Sequence, residues 1–327
     1  MNIYVGGSAG EYHFYTDGGL YFCVNGGKKS LLCENCLDEF DVCAGNEINL
    51  VCESREGDIF KFTKSGGEWI KSVLLKSRSR CAAVFGMRIM ETNDNFHFIY
   101  GLNHGGEMLV VHQVLPYGQP QVISKIYDEN FFVRRDETGC IYILCKISEN
   151  LWHFFTYRSG GWSASEELCE GGEIRDVMCT AYKQFCFVKE DDGKAVFENG
   201  GESFAVPGTD CKIAAAKGGF IVFSKVDGRV IYTSKEKSTG IISGGNCIDF
   251  HLRLPFGGEY CVCECCPGTL RQGKPKLFVL GNSFLAKGAF GESARIEITK
   301  QTIALEAKID ELEKRIEKLE TNSYNPQ

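Results

Sequence analysis

Short apolar runs recur along most of this chain, and each ends in a break rich in glycine, asparagine or aspartate. Residues 140–162 show the unit. Ile141-Tyr142-Ile143-Leu144-Cys145 leads to a polar break at Ser148-Glu149-Asn150, a second run holds Trp152 and Phe154-Phe155, and Gly160-Gly161 precedes Trp162. β-Branched and aromatic residues around such breaks predict antiparallel strands joined by tight turns.

The unit repeats. Its first turn falls at Gly18, Gly57, Gly105, Asn150, Gly193 and Gly228, successive steps of 39, 48, 45, 43 and 35 residues. Asp-Gly and Asn turns tolerate the positive φ that two-residue hairpins require. A further strand lies just before each hairpin, at residues 3–5, 40–44, 82–87, 131–135, 174–180, 211–216 and 247–252. Steps of this length suit a four-stranded sheet, so the chain predicts seven of them. Near-continuous apolar runs, rather than strict alternation, predict sheets covered on both sides.

The strand–Gly–strand–Gly-Gly–Trp rhythm resembles that of β-propellers, with lectin-type and sialidase-like repeats the nearest in rhythm. The repeated Trp-Asp of WD repeats is missing. Ser65-Gly66-Gly67-Glu68-Trp69 and Ser159-Gly160-Gly161-Trp162 lack the aspartate of a sialidase Asp-box. The expected fold is all-β: a seven-bladed β-propeller of four-stranded antiparallel blades over residues 1–299. The resemblance implies ligands at the axial opening and the loops around it.

After residue 299 the period changes to seven. Leu305, Leu312 and Leu319 fall at d, with Thr302, Ile309 and Ile316 at a. Lys308 and Arg315 at g face Glu313 and Glu320 at e of a parallel partner. Ile at a with Leu at d favours two strands, and a lone helix of this length is marginal in water. A single C-terminal helix over 300–321 is therefore expected to form a parallel coiled-coil homodimer, a trimer being the other option. Residues 322–327 read as a disordered tail.

A formal charge of −7 argues against a nucleic-acid backbone as partner. No apolar run reaches membrane-spanning length and the N-terminus lacks a signal-peptide pattern, so a cytoplasmic location is expected. Seventeen cysteines, an odd count, many inside apolar runs, read as reduced core thiols rather than a disulfide framework.

No motif specifies a reaction or a cofactor. Inner-strand charges Asp41, Arg134, Arg135, Arg175, Asp176, Lys212, Asp249, His251 and Arg253 are candidates to line or rim the channel. Arginines there could clasp a carboxylated sugar, or pair with the aspartates. Trp69, Trp162 and Phe204 recur at the outer strand and are candidates to stack on sugar rings. Cys33 and Cys36 in a C-x-x-C, with Cys265 and Cys266, are a weak zinc set, because the spacing is not that of a zinc ribbon. The sequence thus favours a non-enzymatic interaction or scaffold protein with a protein or glycan ligand. A lectin is the first alternative, and a glycan hydrolase of sialidase type the second.

Overall fold

The computed structural model describes residues 2–280, apart from 8–9, 26, 45–46, 78–81, 93–94, 137, 217–218, 228, 235–238, 242–246, 254–260 and 268–275. The end of the expected propeller at 281–299, the coiled coil expected at 300–321 with Leu305, Ile309, Leu312, Ile316 and Leu319, and the expected tail lie outside the described residues.

Seven antiparallel sheets follow one another among the described residues. The first holds β1 (Asn2–Gly7), β2 (Gly10–Thr16), β3 (Gly19–Val24) and β4 (Ser30–Glu34). The second holds β5 (Cys36–Ala44), β6 (Ile48–Ser54), β7 (Ile59–Ser65) and β8 (Glu68–Leu75). The third holds β9 (Ala82–Thr92), β10 (Asn95–His104), β11 (Glu107–Leu115) and β12 (Gln121–Ile126). In the fourth, β13 (Phe131–Arg135), β14 (Ile141–Ser148) and β15 (Leu151–Arg158) are followed by two short pieces, β16 (Gly161–Trp162) and β17 (Glu166–Glu170). Both pieces pair with β15, so this outer strand is split, where one continuous strand was expected.

The fifth sheet holds β18 (Glu173–Ala181), β19 (Gln184–Asp191), β20 (Lys194–Asn199) and β21 (Glu202–Val206). The sixth holds β22 (Thr209–Ala216), β23 (Gly219–Val226), β24 (Arg229–Ser234) and β25 (Thr239–Ile241). Three strands of the seventh are described: β26 (Cys247–Arg253), β27 (Cys261–Pro267) and β28 (Lys276–Leu280). The first strands of neighbouring sheets lie together, β1 with β5, β5 with β9, β13 with β18 and β18 with β22, and β1 also lies beside β26. They are the inner strands.

The core is a series of layers between sheets, and β-strand alternation builds it. Leu50 packs toward the first sheet with Phe14, Leu20 and Phe40. Its neighbour Val51 packs toward the third, with Met87, Ile89 and Phe98. Likewise Ile141 and Ile143 meet Ile99 and Val110 of the third sheet. Tyr142 and Leu144 meet Ile174 and Val177 of the fifth. Successive side chains point to opposite faces, so a strand covered on both sides is apolar at every position. Each such Leu, Ile or Phe contributes about 1.5–3 kcal/mol by leaving water.

Glycine is required at one inner position. Gly86 has φ +62° at an irregularity where the β9–β10 register shifts between Ile99 and Gly101. A Cβ there would stand 2.4 Å from the Phe131 ring of the next sheet. The bulge lets β9 turn while Phe131 packs against its backbone.

Candidate functional site

Side chains on the inner strands reach across to the backbone of the next sheet. Glu39 Oε1 accepts the Met87 N–H at 2.7 Å and Asp41 Oδ2 the Ile89 N–H at 2.8 Å, joining β5 to β9. Asp176 Oδ2 accepts the Ile213 N–H at 2.8 Å, joining β18 to β22. Arg134 Nε donates to the Val177 carbonyl at 2.5 Å, and its Nη2 meets Asp176 Oδ1 at 2.7 Å. Arg135 Nη1 donates backward, to the Glu91 carbonyl on β9. Inner strands have no ladder partner on their free edge, so these bonds satisfy backbone groups that would otherwise be left open there.

The axial charges also act on one another. Burial pushes Asp41 up to about 6, opposed by the charge of Arg88, the Ile89 and Val42 amides and the charge of Arg134. Arg88 was not among the sequence candidates, being one charge within Met87-Arg88-Ile89. Its register on β9, beside the amide that Asp41 binds, is the signal that identifies it. The structure therefore brings Asp41, Arg88, Arg134 and Asp176 together. Lys212 is half-buried on β22. Asp249, His251 and Arg253 lie on β26, and their side chains are outside the description.

Arg175 belongs elsewhere. Arg175 is the extra residue where the β18–β19 register shifts between Ile174 and Asp176, and while Asp176 joins the axis, Arg175 Nε pairs with Glu190 at 2.8 Å. Both line a cleft of about 480 Å³ between the fourth and fifth sheets, on the loop mouth formed by the β14–β15 and β19–β20 turns. Six carboxylates line it, those of Asp128, Glu149, Glu173, Glu190, Asp191 and Asp192, against two cations, Lys146 and Arg175. Lys146, only 5% exposed, is held by Glu173 and, at 3.8 Å, by Asp128. With both cations paired, the lining carries an excess of negative charge. Such a cleft attracts cationic groups.

The three aromatic candidates take part in packing between strands and sheets. Trp69 meets Phe14 and Phe22 of the first sheet edge-on, at 5.9 and 5.5 Å between ring centroids. Trp162 does the same toward the third sheet, meeting His112 edge-on at 5.2 Å and donating its N–H to that ring. Phe204 is buried and stacks on Phe197 at 4.7 Å.

Cys33 and Cys36 are buried at the joint of the first two sheets. Cys265 and Cys266 lie on β27, with side chains outside the description. Among the described residues, no group of three or more His, Cys, Asp or Glu side chains has the geometry to hold a metal ion.

No protein-family model and no curated protein matches the chain. Solved structures do. The Dos1 propeller is similar over 84% of this chain and 76% of its own, with TM-score 0.54 at 10% identity. A prolyl endopeptidase is similar over 86% of this chain but 47% of its own, with TM-score 0.55 at 13% identity, so this chain spans about half that enzyme's length. A six-bladed fucose-binding lectin from Aleuria aurantia is more distant, with TM-score 0.42 at 15% identity over 74% of this chain and 93% of its own. Identities this low speak to fold and not to activity. The described residues are all-β, and their fold is that of a β-propeller.

Proposed function

We propose that this chain is a non-enzymatic interaction protein: a seven-bladed propeller that receives a cationic segment of a partner protein in the cleft between its fourth and fifth sheets. The observation that carries this reading is the cleft's lining, six carboxylates with both cations already paired. On the axis, by contrast, charged side chains bond neighbouring sheets. Seven consecutive sheets with β26 beside β1 support the blade count.

The heptads at residues 300–321 support display of the ring as a parallel dimer, which would raise avidity for a repeated partner. Unpaired thiols support a reducing compartment such as the cytoplasm. Chain ending at residue 299 should run at half the mass of the full chain in light scattering. An unchanged mass removes the dimer.

The cleft itself is tested by titrating the full chain with a fluorescent ten-residue peptide of Lys and Arg, followed by anisotropy. Binding is expected to weaken with salt and to weaken by roughly tenfold or more in the Glu149→Lys, Asp192→Lys double variant, where two charges are reversed beside the peptide. Equal binding by wild type and variant would locate the interaction elsewhere. No binding by the wild type would reject the cationic partner.

A further inference from the structure

Three thiols from three strands meet where the first sheet hands over to the second. Cys33 is the penultimate residue of β4 and Cys36 opens β5. Asn35 between them has φ +52°, so the chain turns sharply enough to bring both sulfurs inward. The third comes from β6. Cys36 and Ser54 are Cα partners and, past an irregularity in the register, so are Phe40 and Cys52; Cys52 and Ser54 share one face of β6. All three are buried in one cluster with Phe14, Leu20 and Phe40. The Cys52 thiol is within hydrogen-bond reach of both Cys33 and Cys36. All three are free thiols.

We propose that Cys33, Cys36 and Cys52 form a redox site, in which Cys33 is the nucleophile toward a hydroperoxide and Cys52 the resolving thiol. The Cys33 thiolate attacks one oxygen of hydrogen peroxide. The O–O bond breaks, and the departing hydroxide takes a proton to become water. Cys52 then attacks the sulfur of the Cys33 sulfenic acid. The S–S bond forms, the S–O bond breaks, and a second water leaves with the Cys52 proton. Two thiols lose two electrons, and one peroxide is reduced to two waters.

The surroundings single out Cys33 from the other thiols. The hydrogen bond from Cys52 outweighs burial and, helped by the charge of Lys71, holds Cys33 below the ordinary thiol value. Burial pushes Cys145 and Cys186 up to about 12. Only a thiolate attacks peroxide at a useful rate, so the lowered Cys33 reacts ahead of those raised core thiols. Access is short, because Glu34 and Asn35, which separate the two turn thiols, are both exposed. A Cys33–Cys52 bond would tie β4 to β6 and so fasten the first sheet to the second.

The test treats the reduced full chain with one equivalent of hydrogen peroxide at neutral pH. Remaining thiols are then alkylated, and the digest is read by mass spectrometry. The expected product is a peptide pair joined through Cys33 and Cys52, two hydrogens lighter than the reduced pair. Its rate of formation should rise from pH 6 to pH 8, following the thiolate fraction. Cys52→Ser should leave a sulfenic acid on Cys33 that a cyclic dione traps, while Cys36→Ser leaves the Cys33–Cys52 link intact. The wild-type map stands even where a variant fails to fold. Oxidation of Cys33 no faster than that of Cys145, a Cys36–Cys52 link in its place, or a zinc ion held by the three sulfurs would each overturn the assignment.

Discussion

The indole N–H of Trp162 donates to Nδ1 of His112 at 3.0 Å. Indole can only donate, so His112 carries its proton on Nε2. That Nε2 lies 2.9 Å from Nδ1 of His97, which must accept, and the His97 Nε2–H then points to Thr92 Oγ1 at 2.6 Å. One donor at the end of the chain thereby fixes both tautomers, and the chain crosses from the fourth sheet into the third.

Neither imidazole can gain a proton without placing two donors face to face. Burial lowers both His97 and His112 to about 4, with the charge of His97 adding to the effect on His112. A histidine depressed in the folded state stabilises fully above its unfolded pKa and loses that contribution as pH falls. Asp41, raised to about 6, has the opposite sign: its burial costs stability as pH rises from about 4 to 6. Each shift is worth about 3 kcal/mol, and two histidines outweigh one aspartate. Urea unfolding should therefore show stability rising by about 3 kcal/mol from these three groups between pH 4 and 6.5. Nitrogen chemical shifts at pH 6 should report both rings as neutral Nε2–H tautomers. Titration of either ring near 6.5 would contradict the chain, and Trp162→Phe should cost about 1–3 kcal/mol by orphaning His112 Nδ1.

Asp136 and Tyr142 form a second joint. The Tyr142 hydroxyl donates to Asp136 Oδ2 at 2.7 Å and accepts the Lys183 N–H of the fifth sheet at 3.2 Å. Asp136 Oδ1 takes the Thr138 and Cys140 N–H groups. Burial alone would raise this carboxyl, but bonds from Thr138, Tyr142 and Cys140 outweigh it and hold it below its usual value. Its contribution is therefore present above about pH 4 and lost as the solution is acidified further. Tyr142→Phe should cost about 1.5–3 kcal/mol at pH 7, read by chemical denaturation, with the loss shrinking toward pH 3. An undiminished loss at pH 3 would place the effect in packing alone.

Gly86→Ala should be among the more damaging single-methyl changes. It combines a positive φ with a Cβ 2.4 Å from Phe131. The backbone strain alone is worth about 1–2 kcal/mol. A fall in melting temperature of several degrees is expected for the Ala variant, partly relieved by pairing it with Phe131→Leu. Gly105→Ala, in a hairpin turn with open space around it, tests strain without the clash and should fall less.

The bond between Arg134 and Asp176 spans the fourth and fifth sheets with both side chains partly exposed. Its Coulomb part is screened, but Asp176 also serves the Ile213 amide. Asp176→Ala and Arg134→Ala should each cost about 1–3 kcal/mol in urea unfolding, since each also removes a bond to backbone, to the Ile213 amide and the Val177 carbonyl. A loss near zero in either variant would mean that these backbone bonds between sheets contribute little.

Much of this was legible in sequence because strand and turn are local matters. The inner strand foreseen at residues 131–135 is β13 residue for residue, and Gly18, Gly57, Gly105 and Gly193 sit at the hairpin turns with positive φ. What stayed hidden depends on partners far along the chain. Arg134 and Arg135 look alike in sequence, yet one bonds forward to Val177 and the other back to Glu91. His97 and His112 meet as diagonal neighbours only through the β10–β11 register, in which Ile99 faces His112. Cys52 joins the C-x-x-C in the same way, through Ser54 facing Cys36. Spacing along the chain carries none of these.

Electron cryomicroscopy of the full chain bears most directly on the architecture from which the rest follows. Seven sheets around one axis, β26 beside β1, and two such rings on a two-helix stem is the expected image. An open arc, a ring of six sheets, or a C-terminal helix folded onto its own ring would contradict it.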